Sequence, residues 1–297
     1  MKISLLIAIF LLFKFTSALY PIRSDWHKIP PAYEAPELKH LIRKYFGVSE
    51  LPSKRIVNGD LARIGQFPHQ VLKFMQASNG GWFFCGGSII GAHWVLTAAH
   101  CVLHRVNVEI YAGLIDRAAT AEYFSGTLSS LAFRIHPEYN EAFLDHDIAL
   151  IEIISPIPLV GNVRQIPLPR RQDATTSVVG LQATASGFGA TFAGGPGSQF
   201  LRYWEQPIAP DSVCLSYYAP GWFLPDQNIC MDTSSGRAVC QGDSGGAISV
   251  EVNGRRGVFG IVSFVAAAGC DRGFPEVYVK VTAYLDWIHW NTQLVEP

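Results

Sequence analysis

Charged side chains are scarce in this chain of 297 residues, at 16% Asp, Glu, Lys and Arg. Soluble domains ordinarily carry about 25%. The two signs nearly cancel, 23 basic against 24 acidic, for a net charge of -1. That balance excludes a nucleic-acid binder relying on net positive charge, and 49% hydrophobic residues exclude a disordered chain. No internal repeat of 20–50 residues is present, so a solenoid is excluded. No segment reaches the roughly 20 apolar residues that span a bilayer. No Asn-x-Ser/Thr sequon occurs, so no N-glycan is expected. No cysteine precedes Cys85, so nothing upstream can be tied covalently to the rest.

What is present is rich in turns and aromatics: 27 Gly, 18 Pro, 18 Phe and 11 Tyr. The chain opens with Met1-Lys2, an apolar run over 3–13 ended by Lys14, and the small residues Thr16-Ser17-Ala18. This is the layout of a secretory signal over 1–18, and it implies an extracellular location. Residues 19–55 follow, with seven basic and four acidic side chains, a net of +3. Residues 56–297 carry 14 basic and 20 acidic, a net of -6. A basic segment ahead of an acidic domain, ending in Lys54-Arg55, reads as a removable pro-segment.

The six cysteines are Cys85, Cys101, Cys214, Cys230, Cys240 and Cys270. An even count in an exported chain suggests three disulfides, but six cysteines allow 15 pairings. Beyond residue 56, short β-rich runs alternate with turn signals, as at 106–112, 148–153, 178–185, 257–265 and 277–281. That rhythm predicts sandwiches or barrels. Four prolines within 155–169 read as a connector between two halves, because proline cannot donate to a ladder. The Gly-rich stretch 186–198 predicts a mobile surface loop. Tyr284, Leu285, Ile288 and Leu294 stand at helical spacing and predict a C-terminal amphipathic helix on the second half.

The segment Gly242-Asp243-Ser244-Gly245-Gly246 carries the most chemistry. A serine hydroxyl is a poor nucleophile without a base to take its proton. It also needs a tight turn whose backbone N–H groups face the developing oxyanion. The flanking glycines permit such a turn. The same letters fit the G-x-S-x-G elbow of α/β-hydrolases, where the acid and histidine follow the serine. Here only His289 follows Ser244, and the βαβ rhythm is missing. The opposite order, His-Asp-Ser, fits Ala98-Ala99-His100-Cys101 and Asp145-His146-Asp147-Ile148-Ala149-Leu150. Asp147 is preferred over Asp145 because it directly precedes an apolar strand. His100 and His104 stand at i, i+4, but no third ligand lies at zinc-site spacing and His-Glu-x-x-His is absent.

Together with Ile56-Val57-Asn58-Gly59, these motifs resemble the chymotrypsin-like serine proteases over residues 56–297, most of all the arthropod digestive or brachyurin-type members. The resemblance implies an all-β fold of two six-stranded antiparallel barrels, about 56–155 and 170–297, with a C-terminal helix and the active site in the cleft between them. It implies Ser244 as nucleophile, His100 as general base and acid, Asp147 as its orienting partner, and the N–H groups of Gly242 and Ser244 as the oxyanion hole. It implies cleavage after Arg55 by a trypsin-like protease, with the new amine of Ile56 pairing with Asp243. It implies the disulfides Cys85–Cys101, Cys214–Cys230 and Cys240–Cys270. Ala238 would floor the specificity pocket, Val239 would wall it, and Ser263-Phe264-Val265 would be the edge strand that pairs with substrate. Val265 would narrow the mouth, and Glu276 departs from the elastase-like pattern by setting an acid near the floor. The implied preference is for small to medium apolar residues, with broad or basic specificity through Glu276, or a non-catalytic binding homologue, as the alternatives. The implied partners are protein or peptide substrates and serpin-type or other protease inhibitors. The implied molecule is a monomer that binds neither nucleic acid nor membrane. No cofactor and no metal are expected; Leu114 after Gly113 replaces the acid that opens the family's calcium loop.

Overall fold

The alternation of apolar side chains along each strand sets the architecture. In the computed structural model, which describes residues 59–118 and 124–294, two antiparallel sheets combine hairpins of neighbouring strands with pairings between strands distant in sequence. The secretory signal, the pro-segment, Arg55 and Ile56 lie outside the described residues.

The first sheet contains β2 (Gln70–Ala77), β3 (Trp82–Gly91), β4 (Trp94–Thr97), β5 (Arg105–Ala112), β6 (Phe124–Ser129), β7 (Phe133–Ile135) and β8 (Ala149–Glu152). Their order is β6-β5-β2-β3-β4-β8-β7. The second sheet contains β1 (Asp60–Leu61), β9 (Gln182–Gly187), β10 (Arg202–Pro207), β11 (Asn228–Met231), β12 (Ala247–Val252), β13 (Arg255–Phe264) and β14 (Glu276–Lys280). Their order is β1-β10-β9-β12-β13-β14-β11.

Each sheet therefore has seven strands rather than the six implied by resemblance. In the first, a 3-10 turn at Ser130–Ala132 breaks one corner strand into β6 and β7, which pair with β5 and β8 at opposite ends of the sheet. In the second, the extra strand is β1, which comes from the start of the domain and pairs with β10. The entering chain thus belongs to the second sheet, and the division into halves at about residue 155 is crossed there.

Strand β2 shows why the first sheet is curled. Val71 and Met75 enter the largest apolar cluster, while Leu72 and Phe74 enter another with Phe84 and Tyr111. Period-2 alternation sends neighbouring side chains to opposite faces, and both faces are covered. The second sheet closes over Trp204, Ile248, Val250, Phe259 and Tyr278.

Among the described residues α-helices are few: α1 (Ala99–Val102), α2 (Asp211–Tyr217) and α3 (Leu285–Thr292). None in the described residues is long and apolar enough to cross a membrane. The predicted terminal helix is α3. Leu285 and Ile288 enter the largest cluster, which holds Val258, Ile261 and Val279 of the second sheet as well as residues of the first, and Leu294 reaches Gly91 of the first sheet, where an added Cβ would lie 2.9 Å from its Cδ2. The three disulfides pair as the resemblance implies: Cys85–Cys101, Cys214–Cys230 and Cys240–Cys270.

The expectation of a mobile surface loop at 186–198 is also corrected. Residues 186–190 are buried. The carboxylate of Asp243 occupies the space beside the two glycines there, so that a Cβ on Gly187 or Gly189 would fall 2.0 or 2.4 Å from its atoms. The glycines are there for close approach and not for freedom.

Candidate active site

One short helix and one loop of the first half bring a histidine to an acid. Strand β4 runs into α1, whose second residue is His100; Asp147 sits just ahead of β8, the neighbour of β4. Pairing of Thr97 with Ala149 puts the two segments side by side. The His100 backbone N–H donates to Asp147 Oδ1 at 2.9 Å, and His100 Nδ1 meets Asp147 Oδ2 at 2.7 Å. With Asp147 ionised, that contact sets the proton on Nδ1 and leaves Nε2 as the acceptor. Asp145 makes no such bond; its backbone carbonyl closes a turn with the N–H of Asn140.

The second half adds a third donor to the same carboxylate. Ser263 Oγ donates to Asp147 Oδ2 at 2.6 Å. Its strand, β13, shifts register against β14 between Val262 and Phe264, so that Ser263 is the residue out of step. A bulge re-aims a side chain in this way. Asp147 is fully buried, and burial pushes its carboxyl up. The charge of His100 and the bonds from His100 and Ser263 outweigh that cost and hold it below the usual range. Sequence reading assigned Ser263 to substrate pairing and missed this contact, for which no local motif gives a signal.

Ser244 comes from the loop ahead of β12. Gly242 and Gly245 flank it with φ of 99° and 77°, a region that disfavours other residues. The turn is tied down on both sides: Ser244 O accepts from Gly86 N–H of β3 at 2.9 Å, and Gly245 N–H donates to Val262 O at 2.8 Å. Among the described residues, the N–H groups of Gly242 and Ser244 have no acceptor within the chain, whereas those of Asp243, Gly245 and Gly246 all do. Two free donors on a strained turn are an anion-binding arrangement. The Ser244 carbonyl and His100 Nε2 both border Cys101 Sγ, at 3.6 and 3.7 Å. The Cys85–Cys101 bridge thus lies between the histidine and the serine turn. Cys85, His100 and Cys101 cluster closely, but both sulfurs are in that bridge and leave no thiolate for a metal.

Asp243 is buried beneath the turn. It accepts from Gly189 N–H at 2.7 Å and Cys240 N–H at 2.9 Å. Burial pushes its carboxyl up to about 6, against the pull of those two bonds.

Of the expected pocket residues, Ala238 and Val239 are buried beside Cys240. Phe264 packs edge-on against Tyr218 and Trp222, and Val265 packs against Ala190, Ala193 and the Cys240–Cys270 bridge. Glu276 opens β14 and is almost fully buried. Its Oε2 accepts from Tyr278 O–H at 2.6 Å, while Oε1 has no hydrogen-bond partner. Burial pushes its carboxyl well above the usual value; Tyr278 and the N–H of Val239 oppose this, and the nearby charge of Asp243 adds to it.

Comparison with known proteins agrees with this arrangement. The trypsin family profile matches residues 56–288. Serine protease 1 of Drosophila melanogaster is 39% identical over 238 residues, covering 80% of this chain and 86% of that protein. Brachyurin of Leptuca pugilator is 35% identical over 238 residues, covering 80% and 98%. The solved structure of HL collagenase superposes with a TM-score of 0.72 at 32% identity, covering 80% of this chain and 99% of that one. A histidine and a serine turn brought across a disulfide at the junction of two antiparallel sheets, with relatives that match nearly end to end, make this chain a member of the trypsin family of serine proteases.

Proposed function

We propose that the chain is a secreted serine endopeptidase, made as a zymogen over residues 19–297 after removal of 1–18, and activated by a trypsin-like protease after Arg55. Ser244 Oγ attacks the scissile carbonyl carbon while His100 Nε2 takes its proton. The N–H groups of Gly242 and Ser244 donate to the oxyanion. The imidazolium then protonates the leaving amine, and an acyl-enzyme remains on Ser244. Water, deprotonated by His100, repeats the sequence to release the acid. Asp147 fixes the ring and stabilises its charged form without taking the proton. Before cleavage, Asp243 lacks the Ile56 ammonium; a buried unpaired carboxylate is costly, so the new charge orders the turn that bears Ser244.

The observation that carries this reading is the carboxylate of Asp147, buried yet ionised, bonded to both His100 and Ser263 across the bridge from Ser244. A fluorophosphonate probe tests it: labelling after trypsin treatment, absent in Ser244→Ala, is the expected result. No labelling of correctly cleaved protein would instead support a non-catalytic binding homologue.

Alanine at 238 and the apolar Val239 and Val265 favour small to medium apolar residues ahead of the scissile bond. A second reading, with basic residues also accepted, is favoured by Glu276, whose Oε1 is an unpartnered acceptor. Cleavage profiling of a peptide library separates the two, and cleavage only after Arg or Lys would overturn the first.

A further inference from the structure

His136, Glu138 and His146 offer three donor atoms that all lie within 4.8 Å of one another. None of them takes part in the chemistry above. The imidazoles of His136 and His146 stack almost parallel, 4.9 Å apart at 5°. His146 Nε2 faces Glu138 Oε2 at 3.9 Å, and Glu138 is 71% exposed. His146 Nδ1 faces Tyr284 O–H at 3.3 Å, so one nitrogen is held by a neighbour while the other lies between Gln227 Nε2, at 3.5 Å, and the acid. Metal-binding histidines are oriented by just such a contact on the second nitrogen. Trp287 packs against the His136 ring at 5.2 Å. Asp145 lies within Coulombic range of His146 and adds negative charge.

We propose that His136, Glu138 and His146 form a surface site for a divalent transition metal, of which zinc fits best, acting on the turn that carries Asp147. Two imidazoles and one carboxylate are a zinc donor set, with a water completing the tetrahedron. Calcium needs six to eight oxygens and does not suit it. Ligation at about 2.0–2.1 Å draws the donor atoms well inside 4.8 Å: the exposed Glu138 side chain swings inward, and the half-buried His136 ring turns out of its parallel stack on His146, because an ion must lie in the plane of each imidazole that holds it. The coupling to Asp147 is through the backbone. His146 precedes Asp147 with a positive φ of 51°, and its carbonyl accepts from Ile148 N–H at 2.7 Å. The N–H of His136 donates to Ile148 O at 3.1 Å. Both histidines are thus tied to the residues flanking Asp147. Pulling His146 toward Glu138 turns the peptide that holds Asp147 against His100, and hydrolysis slows.

The site itself needs no activity, whereas the slowing rests on the endopeptidase reading, so the two are tested apart. Dialysed, uncut protein is titrated with zinc chloride in a calorimeter. One bound equivalent is expected, with His136→Gln and Glu138→Gln each weakening binding by more than about 10-fold. Absence of saturable binding, or unchanged binding in the double variant, overturns the site. For the cleaved enzyme, zinc is expected to lower kcat in the wild type, reversibly with a chelator, and to leave the double variant unaffected. Equal rates with and without bound zinc overturn the coupling to Asp147.

Discussion

Asp147, beside His100, and Glu276, at the start of β14, are carboxylates with nearly identical burial and opposite shifts in proton affinity. Both are at most 1% exposed. Asp147 receives the His100 N–H, the His100 ring and the Ser263 hydroxyl, and its carboxyl is held below the usual range. Glu276 receives the Tyr278 phenol and a pull from the N–H of Val239, has the charge of Asp243 nearby, and is pushed well above it. Burial costs each of them similarly; the number of donors aimed at the charge decides which stays ionised. Asp243 stands between the two, with two backbone donors and a pKa raised to about 6.

Removing the charge at the well-donated site gives the largest effect. Asp147→Asn keeps the shape but favours the wrong imidazole tautomer, and kcat should fall about 10⁴-fold, as in other Ser-His-Asp hydrolases. Steady-state kinetics on a peptide substrate, with thermal melting to check folding, measures it; a fall of only a few-fold would break the comparison.

Asp243 comes next. A carboxyl raised in the folded state takes up protons on folding, so its effect is absent below about pH 4 and destabilises fully above about pH 6. A shift of about two units is on the order of 3 kcal/mol. Denaturant melts of uncut protein should therefore show the wild type losing stability relative to Asp243→Asn between pH 4 and 7. Under the proposed activation, the ammonium of Ile56 would pair with the carboxylate in the cleaved enzyme and reverse the sign, so Asp243→Asn should abolish most activity. An α-amine titrates near pH 8 and is raised by its partner, so the active form persists below that point and is lost as pH climbs beyond it. A flat alkaline limb in the rate profile would overturn the pairing.

Ser263→Ala removes one of three donors. A hydrogen bond to a charged group contributes about 1.5–3 kcal/mol, so kcat/KM should drop about 10- to 100-fold, and Ser263→Thr should restore part of it. The smallest effect belongs to Glu276→Gln. Burial pushes Glu276 toward its neutral form, which its amide imitates, so melting should move by less than about 1 kcal/mol below about pH 4, where an ordinary carboxyl is itself neutral. Cleavage after apolar residues should stay unchanged. A selective loss of cleavage after basic residues would establish the second specificity reading.

Much of the fold was legible before any coordinates. The β-runs at 106–112 and 277–281 appear as β5 and β14 within a residue or so, because alternating apolar side chains and flanking turn residues are local signals. His100 and Asp147 could be singled out because their motifs precede Ser244 in the order His-Asp-Ser, and Asp147 was preferred to Asp145 because it borders an apolar strand. The misread segment had a different cause. Residues 186–198 look like a loose loop by composition, yet glycines there make room for Asp243, more than fifty positions later. The terminal helix was legible by its spacing, while its further contact with the first sheet, Leu294 on Gly91, was not.

The amino-acid order by itself determined the strand rhythm, the order of histidine, acid and serine, and the supply of glycines that a tight turn requires, since all of these are short-range properties of backbone and side-chain chemistry. Only the folded chain decided that Ser263 turns its hydroxyl to Asp147, that Asp243 sits against bare glycine backbone, and that His136 and His146 stack on each other beside Glu138. Those outcomes depend on distances between segments far apart in the chain, and such distances exist only once the two sheets have closed.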